Sequence, residues 1–186
     1  MRFSYALDGD GGIELSPWET QMADSMTEVI VANREHLARF LSWPSPTYGR
    51  EDALAFIRQA QRQHADEGSL ALGIWERGAL VGGISMNRTV WRQRSTALGY
   101  WLAASAQGRG IMTRAVRAVV DELLGPRGFE RIVIAAQPEN RASRAVAERV
   151  GFRWEGVARH AYRHGDRFID WAIYAMLAED WRASTR

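Results

Sequence analysis

The chain has 186 residues, of which 46% are hydrophobic and 25% are charged, and its formal net charge is only +2. This composition predicts one globular domain over residues 1–186, with no nucleic acid as a direct partner. The absence of cysteine excludes disulfides, thiolate nucleophiles and cysteine-ligated zinc. No apolar run is long enough for a membrane span, and residues 1–12 lack the apolar core of a signal peptide, so we expect a cytoplasmic protein without a membrane partner.

The residue pattern in the first third of the chain predicts a short strand region followed by helices. The strand region runs from Phe3 to Leu15. Ser16 is a candidate N-cap with Pro17 at the first helical position, which predicts a helix over residues 16–30. Two more helices are predicted at residues 33–41 and 50–65.

From Ser69 onward the pattern is typical of strands, with helices inserted. A hairpin is predicted at residues 70–87, with its turn at Glu76-Arg77-Gly78, and the next strand at residues 95–104. The remaining elements are a helix that ends before Gly125, a strand at 131–136, a helix from Asn140 to Gly151, and a final hairpin at 153–176. This order predicts an α+β fold around one mixed sheet.

The segment Gln107-Gly108-Arg109-Gly110 joins a predicted strand to an amphipathic helix. The start of a helix has about four backbone N–H groups without an intrahelical partner, and the helix dipole adds partial positive charge. Glycine on both sides of Arg109 removes side-chain bulk, so a phosphate can reach the amides, and the guanidinium can add charged hydrogen bonds. The segment therefore predicts a pyrophosphate site.

Three other interpretations compete with this one. A P-loop needs a lysine where Ile111 stands, and a dinucleotide-binding loop needs a third glycine where Thr113 stands. A purely structural turn stays open on these residues alone.

The order of motifs along the chain resembles the GNAT superfamily of acyl-CoA N-acyltransferases. The sequence QGRGIM after LGYWL is similar to the family's pyrophosphate loop in its Gln-x-x-Gly form, and PENRASRAVAERVGF is similar to its second coenzyme A segment. The sequence WEGVARHAYRHGDRFIDWAIYAML resembles the family's closing hairpin. The early NREHLARFLSWP resembles the ribosomal-protein serine/alanine N-terminal acetyltransferases in particular. The resemblance covers about residues 13–181.

The resemblance implies a GNAT fold: a mixed, mostly antiparallel central sheet whose central strands splay apart, with flanking helices. It implies acetyl-CoA as the co-substrate, no metal, and a possible homodimer. The residues that it assigns to the coenzyme are Trp101, Leu102, Gln107, Gly108, Arg109, Gly110, Ile111, Met112, Thr113 and Asn140.

The resemblance also implies direct acyl transfer to an amine, and the chain departs from the family at two positions. Many members carry a tyrosine seven residues after the asparagine, where this chain has Ala147, and a glutamate where this chain has Ala97. The ribosomal-protein branch uses a serine three residues after the asparagine, so Ser143 is the expected catalytic residue, which would protonate or hydrogen-bond the leaving thiolate. The alternative is that Ser143 is an ordinary first-turn serine.

The general base stays unassigned. Glu14, Asp170 and Tyr162 are candidates, and each has a structural interpretation of equal weight. An α-amine has a pKa near 8, so part of it is neutral near neutral pH without any base.

The acceptor pocket is expected to come from the variable part of the chain. The expected acceptor-binding residues are Trp43, Tyr48, Asn87 and Trp91, although either tryptophan is as readily a core residue. Nearby Arg88, Arg92 and Arg94 are either a solvated hairpin end or a site for an acidic group on the acceptor or acyl chain.

The sequence thus predicts an acetyl-CoA-dependent N-acetyltransferase that acts on a primary amine, and a protein amino terminus is one such acceptor. A small-molecule or antibiotic amine, or succinyl-CoA as donor, is the alternative, and a non-catalytic acyl-CoA-binding module is a third. A metal at His160 and His164 is not expected, because these residues lie in a predicted hairpin and not on one helix face.

Overall fold

A computed structural model describes residues 5–7 and 12–184, so the expected strand start at Phe3 lies outside the described residues. These residues form two compact units. The first takes in the described residues up to Ser85 together with Tyr100–Ile111, and the second takes in Met86–Gly99 and the residues from Met112 onward. No helix in the described part of the chain is long and apolar enough to cross a membrane.

The strands and helices alternate along the chain much as the sequence indicates. The strands are β1 (Tyr5–Ala6), β2 (Ile13–Pro17), β3 (Ala71–Glu76), β4 (Ala79–Val90), β5 (Ser95–Leu102), β6 (Arg131–Ala136), β7 (Arg153–His164) and β8 (Arg167–Leu177). The helices are α1 (Ala23–Ala32), α2 (Arg34–Ala38), α3 (Arg50–Glu67), α4 (Ile111–Leu124), α5 (Arg141–Val150) and α6 (Ala178–Ser184). Short 3₁₀ turns occupy Thr20–Met22, Trp91–Gln93 and Ala104–Ala106.

The sheet is mixed and mostly antiparallel, which confirms the predicted fold class. Its strand order is β1-β2-β3-β4-β5-β6-β8-β7. The pair β5–β6 is parallel, and its register runs from Ser95↔Arg131 to Leu98↔Ile134. Both strands continue beyond that register, β5 to Leu102 and β6 to Ala136, as the expected parting of these two strands requires.

Helices α1 and α3 supply most residues of one core cluster in the first unit. Their inward residues lie three and four positions apart, which places them on one face of each helix. The buried residues of this core are Trp18, Ala23, Met26, Ile30, Leu37, Tyr48, Ala53, Leu54, Ile57, Ala60 and Leu80. Phe56 of α3 is 37% exposed, and its ring centroid lies 6.1 Å from that of Trp18 in an edge-to-face pair.

The predicted helix start at Ser16 and Pro17 is wrong. Both residues belong to β2, where Ser16 pairs with Gly73 and Pro17 with Leu72 of β3. Proline has no backbone N–H to donate to a sheet, and here it ends the strand, after which the chain turns toward α1. Helix α1 begins only at Ala23, after a 3₁₀ turn.

In the second unit, α4 and α5 bury amphipathic faces. The buried residues of α4 are Ile111, Met112, Ala115, Val116, Val119, Val120, Leu123 and Leu124, in agreement with the predicted amphipathic helix. Helix α5 ends at Gly151, whose φ of 105° closes the helix in the left-handed conformation. Helix α6 was not predicted; its Trp181 donates to Asp121 Oδ1 of α4 at 2.7 Å.

Two adjacent glycines of β4 allow a close approach of β5 within the first unit. A Cβ at Gly82 would lie 2.5 Å from the carbonyl oxygen of Trp101, and one at Gly83 would lie 2.7 Å from Trp101 Nε1. The backbone N–H of Ala103 donates to the carbonyl of Val81 at 2.8 Å. The position of Trp101 therefore depends on the absence of side chains in β4.

We expect Gly82→Ala to lower the free energy of unfolding by about 1–3 kcal/mol, because the new methyl group meets backbone that cannot move independently. The matched control is Gly49→Ala, where the nearest heavy atom to the new Cβ is 3.8 Å away. Denaturant unfolding of both variants measures the difference. Equal stabilities would contradict the close packing of β5 on β4.

Candidate active site

The turn before α4 has the backbone geometry that an anion site requires. Gly108 and Gly110 have φ of 74° and 73°, a left-handed conformation that glycine adopts without steric cost. A Cβ built on either glycine would meet nothing within 4 Å, and residues 107–110 are exposed. Two glycines without side chains thus precede the 14-residue helix α4, and the space beside them is open.

Side chains of the first unit hold this turn in place. The backbone N–H of Ala104 donates to Asn33 Oδ1 at 2.9 Å. The amide of Gln107 lies 3.0 Å from His36 Nε2. Both contacts tie the turn to the junction of α1 and α2, the segment whose sequence resembles the ribosomal-protein branch.

Arg109 is engaged within the protein. Its guanidinium donates to both carboxylate oxygens of Glu76 at 2.7 and 2.8 Å, and to the carbonyl of Ser105 at 3.2 Å. A planar guanidinium matches a carboxylate with two parallel hydrogen bonds, which fixes its orientation. The expected role of Arg109 as a phosphate ligand stays a prediction, and the structure gives it a second role as an anchor of the turn.

Three aromatic residues expected at the site lie together in the first unit. The ring of Trp43 is 5.8 Å from Tyr48 and 6.2 Å from Trp101, and the Trp43–Trp101 pair is edge-to-face. Trp43 is 39% exposed, whereas Tyr48 is buried. Burial, with a smaller effect of Asp52, raises the pKa of Tyr48 to about 12, so this phenol is neutral at physiological pH and is no candidate for the base.

In the second unit, Asn140 caps α5, the helix that carries Ser143. Its side-chain oxygen accepts a hydrogen bond from the backbone N–H of Ser143 at 3.1 Å. Ser143 is half-buried at the third position of the helix. Asn140 and Ser143 are therefore brought together, and the contact between them has a structural role whatever else they bind.

A hydrogen-bond network that the sequence analysis missed fixes α5 on β8. Tyr174 OH donates to Glu148 Oε1 at 2.7 Å and accepts from Arg144 Nε at 3.0 Å. Burial raises the pKa of Tyr174, which Arg144 and Glu148 then shift in opposite directions. The spacing of Arg144 and Glu148 by one helical turn was the available signal. Ala147, where many family members have tyrosine, is fully buried between them on α5.

Asn87 and Trp91 of the second unit contact different residues. The side-chain amide of Asn87 lies against Gly99, where a Cβ would collide with it. The backbone carbonyl of Asn87 accepts a hydrogen bond from Thr96 Oγ1 at 3.2 Å. The Trp91 ring is 42% exposed and lies 5.5 Å from Phe129.

The residues considered for the base are engaged in different ways. Glu14 is exposed on β2. Asp170 accepts the backbone N–H of His160 at 2.8 Å, and Tyr162 stacks on Trp171 at 5.2 Å. None of these contacts selects a base. In the described part of the chain, no group of three His, Asp or Glu side chains could hold a metal ion.

A glycine-flanked turn directly before a helix, in a chain whose mixed sheet contains the parallel pair β5–β6, is the arrangement expected of an acyl-coenzyme A transferase. The sequence profile described as "Acetyltransferase (GNAT) domain" matches residues 13–153. The chain therefore belongs to the GNAT acetyltransferase family.

Similar proteins that are named as acetyltransferases support this family assignment. The chain is 30% identical to the putative ribosomal N-acetyltransferase YdaF of Bacillus subtilis (strain 168), over 88% of this chain and 90% of that protein. It is 29% identical to the ribosomal-protein-serine acetyltransferase of Escherichia coli (strain K12), over 82% and 85%. The crystal structure of the microcin C7 self-immunity acetyltransferase MccE in complex with acetyl-CoA and AMP is similar, with a TM-score of 0.86 and 28% identity over 92% and 94% of the two chains.

We expect Asn140→Ala to lower the free energy of unfolding by about 1 kcal/mol, because the Ser143 N–H loses its acceptor. The control is Asn140→Asp, which keeps an oxygen at that position and places negative charge at the helix start, and which should stay within a few tenths of a kcal/mol of wild type. Denaturant unfolding without coenzyme makes the comparison. An alanine variant as stable as wild type would exclude the cap as a contributor.

Proposed function

We propose that this protein transfers an acetyl group from acetyl-CoA directly to a primary amine, and that its acceptor is the amino terminus of a protein. The observation that carries the proposal is the pair of open, left-handed glycines at the start of α4, in a chain of the GNAT family. The named relatives support the choice of acceptor, since two of them are ribosomal-protein acetyltransferases by name. Ribosomes are cytoplasmic, so this proposal includes a cytoplasmic site of action.

The turn fits the coenzyme's diphosphate. The bound diphosphate would accept hydrogen bonds from the backbone amides of residues 108–113, since the N–H of Gln107 donates to the carbonyl of Ala104. The space around Gly108 and Gly110 is where a Cβ would otherwise stand. Backbone groups of Trp101 and Leu102 would hold the pantetheine arm, and Asn140 would contact it near the thioester. We also propose that residues 1–186 act as a single catalytic domain, because the family match takes in parts of both units. A homodimer stays a prediction.

The proposed reaction needs few acid–base groups from the protein. Acetyl-CoA supplies the activated acyl group as a thioester, and a neutral amine can attack it without a covalent enzyme intermediate. Ser143 would donate a hydrogen bond to the departing thiolate, since alanine occupies the position of the usual tyrosine. Orientation of the two reactants contributes the rest of the rate enhancement.

The acceptor would be bound by aromatic and amide side chains. Trp43 offers an exposed indole beside Tyr48, and Asn87 and Trp91 are exposed in the second unit. A small-molecule amine is the second candidate, since MccE, a self-immunity enzyme by name, is 28% identical to this chain.

We expect coenzyme A release in the presence of acetyl-CoA to depend on an added amine, with an acetylated peptide as the product by mass spectrometry. Background from the enzyme's own side chains should be low, because the chain has no lysine. Ser143→Ala should lower kcat by about 100-fold, a typical effect of losing a proton donor, and leave coenzyme binding unchanged.

The control for this variant is Ser25→Ala, which removes a half-buried serine from the third position of α1, the position that Ser143 has in α5. It should retain the wild-type kcat. Tight coenzyme binding without turnover of any peptide or small amine would refute the proposed activity. The protein would then be a non-catalytic acyl-CoA-binding module.

We expect Gly110→Ala to weaken coenzyme A binding by at least about tenfold, since its methyl group enters the space of the diphosphate. The substitution also carries a conformational cost of about 1–2 kcal/mol at positive φ. Gly78→Ala is the matched control: Gly78 has φ of 80° and nothing within 4 Å of an added Cβ, but it lies in the β3–β4 turn. Calorimetry should show normal affinity for Gly78→Ala, and equal affinities of the two variants would contradict the assignment.

A further inference from the structure

One cation of the second unit, Arg88, is held over an aromatic ring. The guanidinium carbon of Arg88 lies 4.7 Å from the centroid of the Trp171 ring, and Tyr162 stacks on the same tryptophan at 5.2 Å and 17°. In the described part of the chain, no carboxylate lies within ion-pair distance of Arg88. Its neighbour Arg94 differs, because it contacts Glu130 at 3.7 Å and the carbonyl of Gly128 at 3.4 Å.

The backbone around this pair is unusual at two non-glycine residues. Arg88 has φ of 49° and His160 has φ of 50°. A left-handed conformation is unfavourable for such residues and persists where the surrounding structure requires it. The His160 N–H donates to Asp170 Oδ1 at 2.8 Å, in the irregular part of β7 between Ala158 and Tyr162. The two left-handed residues thus lie in the strands that carry Tyr162 and Arg88.

The chain places Arg88 and Trp171 at the carboxyl end of β6. Asn87, next to Arg88, lies against Gly99 of β5, and Gly99 directly follows the last parallel pair of β5 with β6. Ala172, next to Trp171, pairs with Ala136, the last residue of β6. Since β5 and β6 lie between β4 and β8 in the sheet, the two side chains meet near the point where the parallel register of β5 with β6 ends. Helix α5, with Ser143, begins five residues beyond the end of β6.

A guanidinium over an aromatic ring is oriented by the ring and still has N–H groups at its edge for an anion. The guanidinium of one arginine suits a single carboxylate, which accepts two parallel hydrogen bonds. We propose that Arg88, oriented by Trp171, binds a carboxylate of the acceptor, so that the enzyme prefers protein amino termini with Asp or Glu among their first residues. This inference rests on the proposed function and adds the chemical class of its acceptor.

The test compares two hexapeptides with amino-terminal serine that differ only in Asp or Asn at positions two and three. Wild type should acetylate the Asp peptide with a kcat/KM about tenfold higher, mostly through KM, and the preference should shrink with added salt. Arg88→Gln should remove the preference and leave the Asn peptide within about twofold of wild type. Arg88→Gly, which accepts the left-handed backbone most easily, should do the same, and Arg88→Lys should retain only part of the preference.

The matched control is Arg92→Gln, which removes the same charge from an exposed arginine of the adjacent 3₁₀ turn and should keep the preference. Calorimetry with coenzyme A shows that each variant is folded. Equal kcat/KM for both peptides in wild type, or a preference that survives in both Arg88→Gln and Arg88→Gly, would overturn the inference and leave the acetyltransferase intact. Turnover of a phosphate-bearing small amine but of neither peptide would overturn it in favour of phosphate. Coenzyme binding without turnover of any amine would overturn both proposals.

Discussion

The constraint on which the rest depends is the left-handed backbone of Gly108 and Gly110 directly before α4. Any other residue at these positions would add strain and place a Cβ in the open space beside the helix start. The unpaired backbone N–H groups at a helix start bind an anion only if the anion can reach them. The ion pair of Arg109 with Glu76 and the hydrogen bond from Ala104 to Asn33 keep the turn in this conformation.

The chemistry that we propose relies more on position than on acid–base groups. The chain has no cysteine, and alanine stands at residues 97 and 147, where many family members have an acid and a phenol. Ser143 is the candidate that remains, and its helix is fixed by the Asn140 cap and by the hydrogen bonds of Tyr174. A rigid donor close to the thiolate is what such a mechanism needs, since misplacement by 1 Å reduces catalysis severely.

The sequence predicted most elements because their signals are local. Periodicity predicted α3 and α4, and the glycine of the Glu76-Arg77-Gly78 turn predicted the β3–β4 hairpin. The prediction from sequence failed at Ser16 and Pro17, because pairing with β3 outweighed a plausible helix-start pattern. The contacts of Arg109 with Glu76 and of Arg88 with Trp171 join residues 33 and 83 positions apart, and no local pattern specifies such partners. The coenzyme segment was recognisable as an ordered set of motifs; the surroundings of its side chains were not.

The central claim is that the amides at the start of α4 bind the coenzyme's diphosphate. Amide resonances of ¹⁵N-labelled protein, followed during titration with coenzyme A, test it most directly. The account predicts that the largest shifts fall on residues 108–113, where hydrogen bonds to phosphate would form, and that Gly78 and Gly165, glycines of similar conformation elsewhere, stay unchanged. Saturable binding with unmoved resonances at Gly108 and Gly110 would contradict it.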